Sequence, residues 1–317
     1  MCLLKTTVVI CSVNRPDVLS ETIESVLQGQ SRPPREIIVS VCNREHVPEK
    51  ILAEAAVRVV VSARQGLTVQ RNTGAKLVRT PYTLFLDDDV EIAPNFIESM
   101  ERLLDEVQDA VAATGFLVAD GVRWDTGLNR KSARTAAVGY VQGRDNYDRD
   151  ELYGCNLFVR TDIFKKVLFD ERLALYGWLE DLDFTTNCLR FGRTIVNAET
   201  CVAHLATPGG RISGPKLGYS QIVNPFYLWR KNGKPGLSHV VVAHWFVFVA
   251  RNIFRALAKI PSGRGDRKGR FRGNVIGMWH LMKGKVDPSY ILQLEDTAGA
   301  ESRSSSVAVQ VLGRPTR

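Results

Sequence analysis

Within the first hundred residues, short aliphatic and β-branched runs alternate with segments of helical period, and few architectures accommodate that alternation. Residues 6–12 (TTVVICS) form a nearly continuous apolar and β-branched run that stops at Asn14, Arg15 and Pro16. This is the pattern of a strand buried on both faces of a parallel sheet. Val18, Ile23, Val26 and Leu27 then recur at helical spacing until Gly29 and the Pro33-Pro34 pair stop the run. Residues 36–41, 57–61 and 82–86 repeat the strand pattern, and residues 67–77 read as a helix between the last two. Strands alternating with helices imply right-handed crossovers, so the predicted fold class is α/β: a Rossmann-like, mostly parallel central sheet with flanking helices. In such sheets ligands bind beyond the carboxyl ends of the strands.

Further along, strands are predicted at 110–118, 155–159, 194–197 and 200–204, a short helix at 162–167 and a longer one at 182–191. Residues 121–150 are polar and rich in Arg, Asp, Asn and Gly, and read as an excursion over the surface or over a site. Beyond Thr207 the chain turns Gly-, Pro- and base-rich, and from 298 it is Ser-rich and expected to be disordered. Three parts follow: an α/β body over 1–210, a basic and apolar helical extension over 211–297, and a tail over 298–317. With 44% hydrophobic and 24% charged residues the chain is an ordinary globular one, which removes collagen-like, coiled-coil and wholly disordered readings. The formal net charge of +8 permits a phosphate, polyanionic or anionic-lipid partner. That charge gathers in the last third, where Asp266 is the single acid between Arg211 and Lys285. The six cysteines are dispersed, with no C-x-x-C pair, which fits a reducing cytoplasm, and the opening residues read as a first strand and not as a signal peptide.

The sharpest chemical feature is LFLDDDVEIAPNF, in which Asp87, Asp88 and Asp89 stand at the carboxyl end of an apolar strand. Adjacent carboxylates repel, and a cation is their natural partner; hard oxygen ligands select Mg2+ or Mn2+. A solvated acidic turn is the alternative. At a strand end of an α/β sheet, an ion held by few protein ligands completes its shell with diphosphate oxygens, which points to a nucleoside diphosphate. A second acidic group, Glu180, Asp181 and Asp183, follows Gly177 and Trp178 at a helix start. It serves the helix dipole or supplies a general base for an attacking hydroxyl. His204 ends a short strand, either packed or near the metal. Arg71 and Asn72 lie near a helix start, where a guanidinium pairs with a diphosphate or faces solvent. No G-x-x-x-x-G-K-[ST], G-x-G-x-x-G or G-x-S-x-G occurs, and no nucleic-acid-binding module is visible.

TTVVICSVNRPDVLSETIESVL, EIIVSV, GLTVQRNTGAK, YTLFLDDDVEIAPNFIE and GWLEDLDFTTNCLRFG follow one another in an order that resembles family 2 glycosyltransferases, over about residues 5–205. The resemblance implies a GT-A fold and transfer of a sugar, with inversion, from a nucleotide-diphosphate sugar to an acceptor hydroxyl. By motif, Asp87 and Asp89 match the family's D-x-D, Asp89 as metal ligand and Asp87 or Asp88 toward the ribose and diphosphate. Asp181, beside Glu180, matches the acid that serves as catalytic base. His204 falls where relatives place a histidine on the metal or diphosphate, and Arg71 matches an arginine near the nucleotide. Ser12, Asn14 and Arg15 are expected to line the nucleoside pocket. Where relatives carry an acid that reads the base, this chain has Val41, Cys42 and Asn43, with Asn43 the remaining candidate for a base edge.

Residues 235–250 carry no Lys, Arg, Asp or Glu, yet the run is too short and too interrupted to span a bilayer. The mixed apolar and basic stretch after it has the composition of a helix lying on an anionic membrane surface, or of one packed on the body with a solvated basic face. The expected enzyme is thus a metal-dependent hexosyltransferase of surface polysaccharide or glycolipid synthesis. It would act on a saccharide or lipid-linked saccharide, in the cytoplasm or peripherally on the inner membrane face, with no nucleic acid involved. A nucleotidyltransferase and a non-catalytic nucleotide-sugar-binding scaffold are the alternatives.

Overall fold

The computed structural model describes residues 4–122, 128–207, 212–233, 247, 249–250, 253–254 and 266–295. Strand β1 (Thr6–Ser12) sits between β2 (Glu36–Val41) and β4 (Tyr82–Asp87), parallel to both, and β3 (Val57–Val61) extends the parallel run beyond β2. Residues at successive positions enter different cores: Val8 and Ile10 pack on one face, Val9 on the other. Both faces are covered, which is why β1 reads as a nearly unbroken apolar and β-branched run.

Helix α1 (Pro16–Gly29) starts with proline in its first turn and buries Leu19, Ile23 and Val26. Helix α2 is the short Glu49–Leu52, and α3 (Leu67–Ala75) ends two residues before its predicted limit. After β4 the sheet becomes mixed. Strand β8 (Asn156–Arg160) pairs antiparallel with β4 and β6 (Ala110–Asp120), and β9 (Arg193–His204) lies parallel to β6. Short β5 (Val90–Ile92) and β7 (Tyr147–Asp148) pair antiparallel with β9, and the main path runs β3-β2-β1-β4-β8-β6-β9-β5. The two strands predicted at 194–197 and 200–204 are one strand. A shift in its register on β6, between the Gly115–Asn197 and Phe116–Cys201 pairs, absorbs the interruption.

Helix α4 (Phe96–Glu106) covers β6 and β9. The region expected to be irregular, 121–150, holds helix α5 (Arg130–Val138), whose N-cap Asn129 accepts a hydrogen bond from the Ser132 N–H. The expected 162–167 helix is a 3-10 turn over Thr161–Lys165, and α6 (Glu180–Cys188) starts two residues earlier than predicted.

Beyond the sheet, α7 (Gly214–Asn232) packs on the α/β body. Its Asn224 amide donates to the Trp178 carbonyl at 2.9 Å, Tyr227 to Asp170 at 2.7 Å, and Lys231 pairs with Asp170 at 2.8 Å and Asp183 at 2.7 Å. Helix α8 (Arg267–Met282) lies along α7. The apolar stretch 235–250 and the basic stretch after it lie largely outside the described residues, and the tail from 298 wholly so. Among the described residues no helix is long and apolar enough to cross a membrane.

Candidate active site

The chain runs from β1 outward to β2 and β3, then returns to the other side of β1 as β4. That reversal opens a crevice at the carboxyl ends of β1 and β4, where Cys11 pairs with Asp87 in register. Three aspartates enter the crevice with different surroundings. Asp87, half-buried, is 3.2 Å from an Arg71 nitrogen. Asp88 is fully buried, accepting the Ser12 hydroxyl and pairing with Arg15, which also donates to Asp89 at 3.3 Å and to the Thr207 carbonyl at 3.1 Å. Burial pushes the Asp88 carboxyl up to about 7 against the pull of Arg15. Asp89 accepts the Thr207 N–H at 2.7 Å and faces His204 Nε2 at 3.5 Å. Burial raises the Asp89 carboxyl, but the hydrogen bond and charge of His204 outweigh it, so the pKa falls below the usual range.

His204 closes the group from the end of β9, its Nδ1 being 3.1 Å from Asp120 at the end of β6. Burial would lower its pKa, yet hydrogen bonds to Asp120 and Asp89 push it up to about 10. Ligand atoms of Asp87, Asp89 and His204 lie within 4.8 Å of one another. Two carboxylates and one imidazole, the latter oriented by a further carboxylate, are a donor set that could hold a divalent metal ion.

Across the crevice stands the start of α6. Leu175 (φ 58°) and Leu179 (φ 70°) occupy the left-handed region on either side of Tyr176, Gly177 and Trp178. A leucine there costs about 1 kcal/mol or more, and Tyr176 and Trp178 between them line the crevice. Asp181 accepts the Gly154 N–H at 3.0 Å through one oxygen and the Leu182 N–H at 2.9 Å through the other, so its carboxylate is fixed in orientation. Glu180 turns inward and pairs with Arg71, which also donates to the Gly154 carbonyl at 2.9 Å. Burial lifts the Glu180 carboxyl to about 8 although Arg71 pulls it down. Two lobes share the wall made by Leu67, Asp87 and Tyr176. One is lined by Ser12 at the end of β1, Arg15 just before α1 and Gln70 in the first turn of α3; the other, about 270 Å³, holds Trp178, Asp181 and His204.

The model of glycosyl transferase family 2 matches residues 7–168, just over half of the sequence. The chain belongs to that family. Over 182 residues it is 26% identical to a glucosyl-dolichyl phosphate glucuronosyltransferase of Haloferax volcanii, a match covering 52% of this chain and 55% of the relative. It therefore spans about half the length of that curated relative. Among solved structures, GalNAc-T7 with UDP, GalNAc and Mn2+ superposes with a TM-score of 0.55 at 17% identity, over 92% of this chain and 56% of the other. S. aureus TarS 1-349 gives 0.50 at 15% identity, over 76% and 70%. These likenesses establish the GT-A fold.

In this family 2 chain the residues singled out from sequence have different surroundings. Asp87, Asp89 and His204 come together, and Asp181 faces their crevice. Arg71, only 2% exposed, bridges Asp87 and Glu180 at the wall of the lobe that holds Asp181 and His204. Glu180 and Asp88 are likewise occupied from within, by Arg71 and by Arg15 with Ser12. Asn14 adopts φ 52° in the β1 loop, its N–H donating to His46 at 3.3 Å. Exposed Asn43 caps the 3-10 turn at the end of β2 by accepting the Glu45 N–H at 3.1 Å. Sequence reading passed over Asp120, whose signal was a carboxylate ending a long apolar strand. It also passed over Gly154, which a Cβ would press to 2.9 Å from Arg71.

Proposed function

We propose that the chain is an inverting glycosyltransferase that moves a sugar from a nucleoside-diphosphate sugar to an acceptor hydroxyl. One observation carries this reading: Asp87, Asp89 and His204 converge on one side of a crevice whose other side presents a fixed carboxylate, Asp181. The lobe at the end of β1 and the start of α3, with Ser12, Arg15 and Gln70, suits the nucleoside, and Asn43 stands just past the end of the adjoining strand β2. The lobe holding Trp178 and Asp181 suits the sugar and the acceptor. Asp87, Asp89 and His204 would hold Mg2+ or Mn2+, which supplies neutralising charge for the departing diphosphate.

Asp181 takes the proton of the acceptor hydroxyl. The acceptor oxygen bonds to the anomeric carbon from the face opposite the diphosphate, while the bond from that carbon to the diphosphate oxygen breaks, so configuration inverts. Both Asp181 oxygens already accept backbone N–H groups, which holds the base in one orientation without further ordering. Glu180 is a positioning residue, because its carboxylate is paired with Arg71. A lipid-linked saccharide acceptor in surface polysaccharide or glycolipid synthesis is favoured by the name of the Haloferax relative, which includes a dolichyl phosphate-linked sugar. Work at the inner membrane face is in keeping with that acceptor.

Asp181→Asn is expected to lower sugar transfer by about 10²–10⁴-fold while leaving manganese-dependent stabilisation by nucleoside diphosphates intact. Asp89→Asn is expected to lose both, and EDTA to abolish wild-type transfer. Full activity in Asp181→Asn would remove it as the base. Thermal unfolding with a panel of nucleoside diphosphates and Mn2+ identifies the donor base.

A further inference from the structure

A helix on a protein surface ordinarily buries its large apolar residues and shows polar ones to water. Helix α8 packs Ile276 and Leu281 beside Tyr219 and Val223, yet it also turns a run of large apolar residues to water. Gly269, Gly273 and Gly277, four residues apart, form the face against α7, and a Cβ built on Gly273 would lie 2.0 Å from the Pro215 carbonyl oxygen. Four of its bulky side chains point away: Phe271 is 38% exposed, Val275 51%, Trp279 54% and Met282 72%. Positions i, i+4, i+8 and i+11 make one continuous stripe.

Lys268, Arg272 and Lys283 are exposed on the same face, and Lys285 follows just past the helix. The Lys283 ammonium stands 4.7 Å over the Trp279 ring. No acid occurs between Asp266 and Asp287, and each of these caps a helix start by accepting a backbone N–H. An apolar stripe carrying Trp and Phe, set among lysines and arginines, matches the interfacial layer of a bilayer with anionic head groups. Two copies of such a face would meet cation to cation, which disfavours self-association.

We propose that α8 seats the protein on an anionic lipid surface, with Phe271, Val275, Trp279 and Met282 entering the head-group layer and Lys268, Arg272, Lys283 and Lys285 pairing with lipid phosphates. The seat is tied to the crevice. Tyr219 of α7 meets His280 of α8 at 3.1 Å, and Asn224 of α7 holds the carbonyl of Trp178. This docking gives purpose to the lipid-linked acceptor and rests on that reading for its biological sense, but its test reads no sugar transfer.

The full chain is mixed with vesicles of phosphatidylcholine, alone or with phosphatidylglycerol, and sedimented. The wild-type chain is expected to bind the anionic vesicles, less so as salt rises, and to leave the neutral ones largely unbound. The Trp279→Ser/Met282→Ser and Lys268→Glu/Arg272→Glu variants are each expected to partition at least about tenfold more weakly, with unchanged unfolding midpoints. The proposal is overturned if the wild-type chain stays in the supernatant or binds both vesicles alike. It is equally overturned if the variants bind as wild type, or if their one change is loss of a dimer in light scattering.

Discussion

Arg71 shows how far a residue's meaning depends on what folds around it. A guanidinium near a helix start is an anion site in principle, yet here it is buried beneath the crevice, over the Phe169 ring at 5.3 Å and between Glu180 and Asp87. Removing it strands two acids and the Gly154 carbonyl without their donor. Arg71→Met is therefore expected to cost about 3 kcal/mol of stability, measured by urea unfolding. Glu180→Gln keeps an acceptor for Arg71 and mimics the protonated carboxyl that burial favours, so about 1 kcal/mol or less is expected. The three adjacent aspartates divide labour in the same way. Asp88 is the internal counter-ion of Arg15, while Asp87 and Asp89 turn to His204, and neighbouring letters in DDD could not announce that division.

At the scale of elements, the parallel strands were legible because burial on both faces leaves a contiguous apolar run, and β1, β2 and β3 have the predicted limits. Helix α5 was not, because its sequence RKSARTAAV is mostly polar or small; it buries Ala133 and Ala137 against the sheet. The pairing of α7 and α8 depends on close approach. Gly218 would place a Cβ 2.0 Å from the Arg270 carbonyl oxygen, and Gly273 is as tight. Gly273→Ala is expected to destabilise by about 1–3 kcal/mol, since backbone must move to admit the methyl group. Gly29→Ala, at the end of α1 with nothing within 4 Å, is expected to gain up to about 1 kcal/mol. Calorimetry of the two variants separates helix propensity from packing.

For the whole molecule, buried ionisable groups set how stability follows pH. Burial raises the folded pKa of Glu180 from 4.5 to about 8 against the pull of Arg71. Its contribution is complete below the unfolded value and is lost as pH rises through the folded one. Asp170, which anchors α7, runs the other way. Burial raises it, but hydrogen bonds from Lys231 and Tyr227 bring it below 3.8, so its contribution holds above that value and is lost as pH falls through the folded one. The melting temperature is expected to decline between about pH 5 and about pH 8, less steeply in Glu180→Gln, and to drop below about pH 4, less steeply in Asp170→Asn.

The α/β class, the order of the first strands and the acids at the end of β4 were determined by local pattern alone, since hydrophobic period and strand-end placement are properties of short segments. Tertiary structure decided which acids converge on His204, which one faces the crevice, and that α8 carries an apolar stripe outward. Those properties depend on distances between residues far apart in the chain, as between Asp89 and His204, and on which charges lose their water when the sheet and helices close over them.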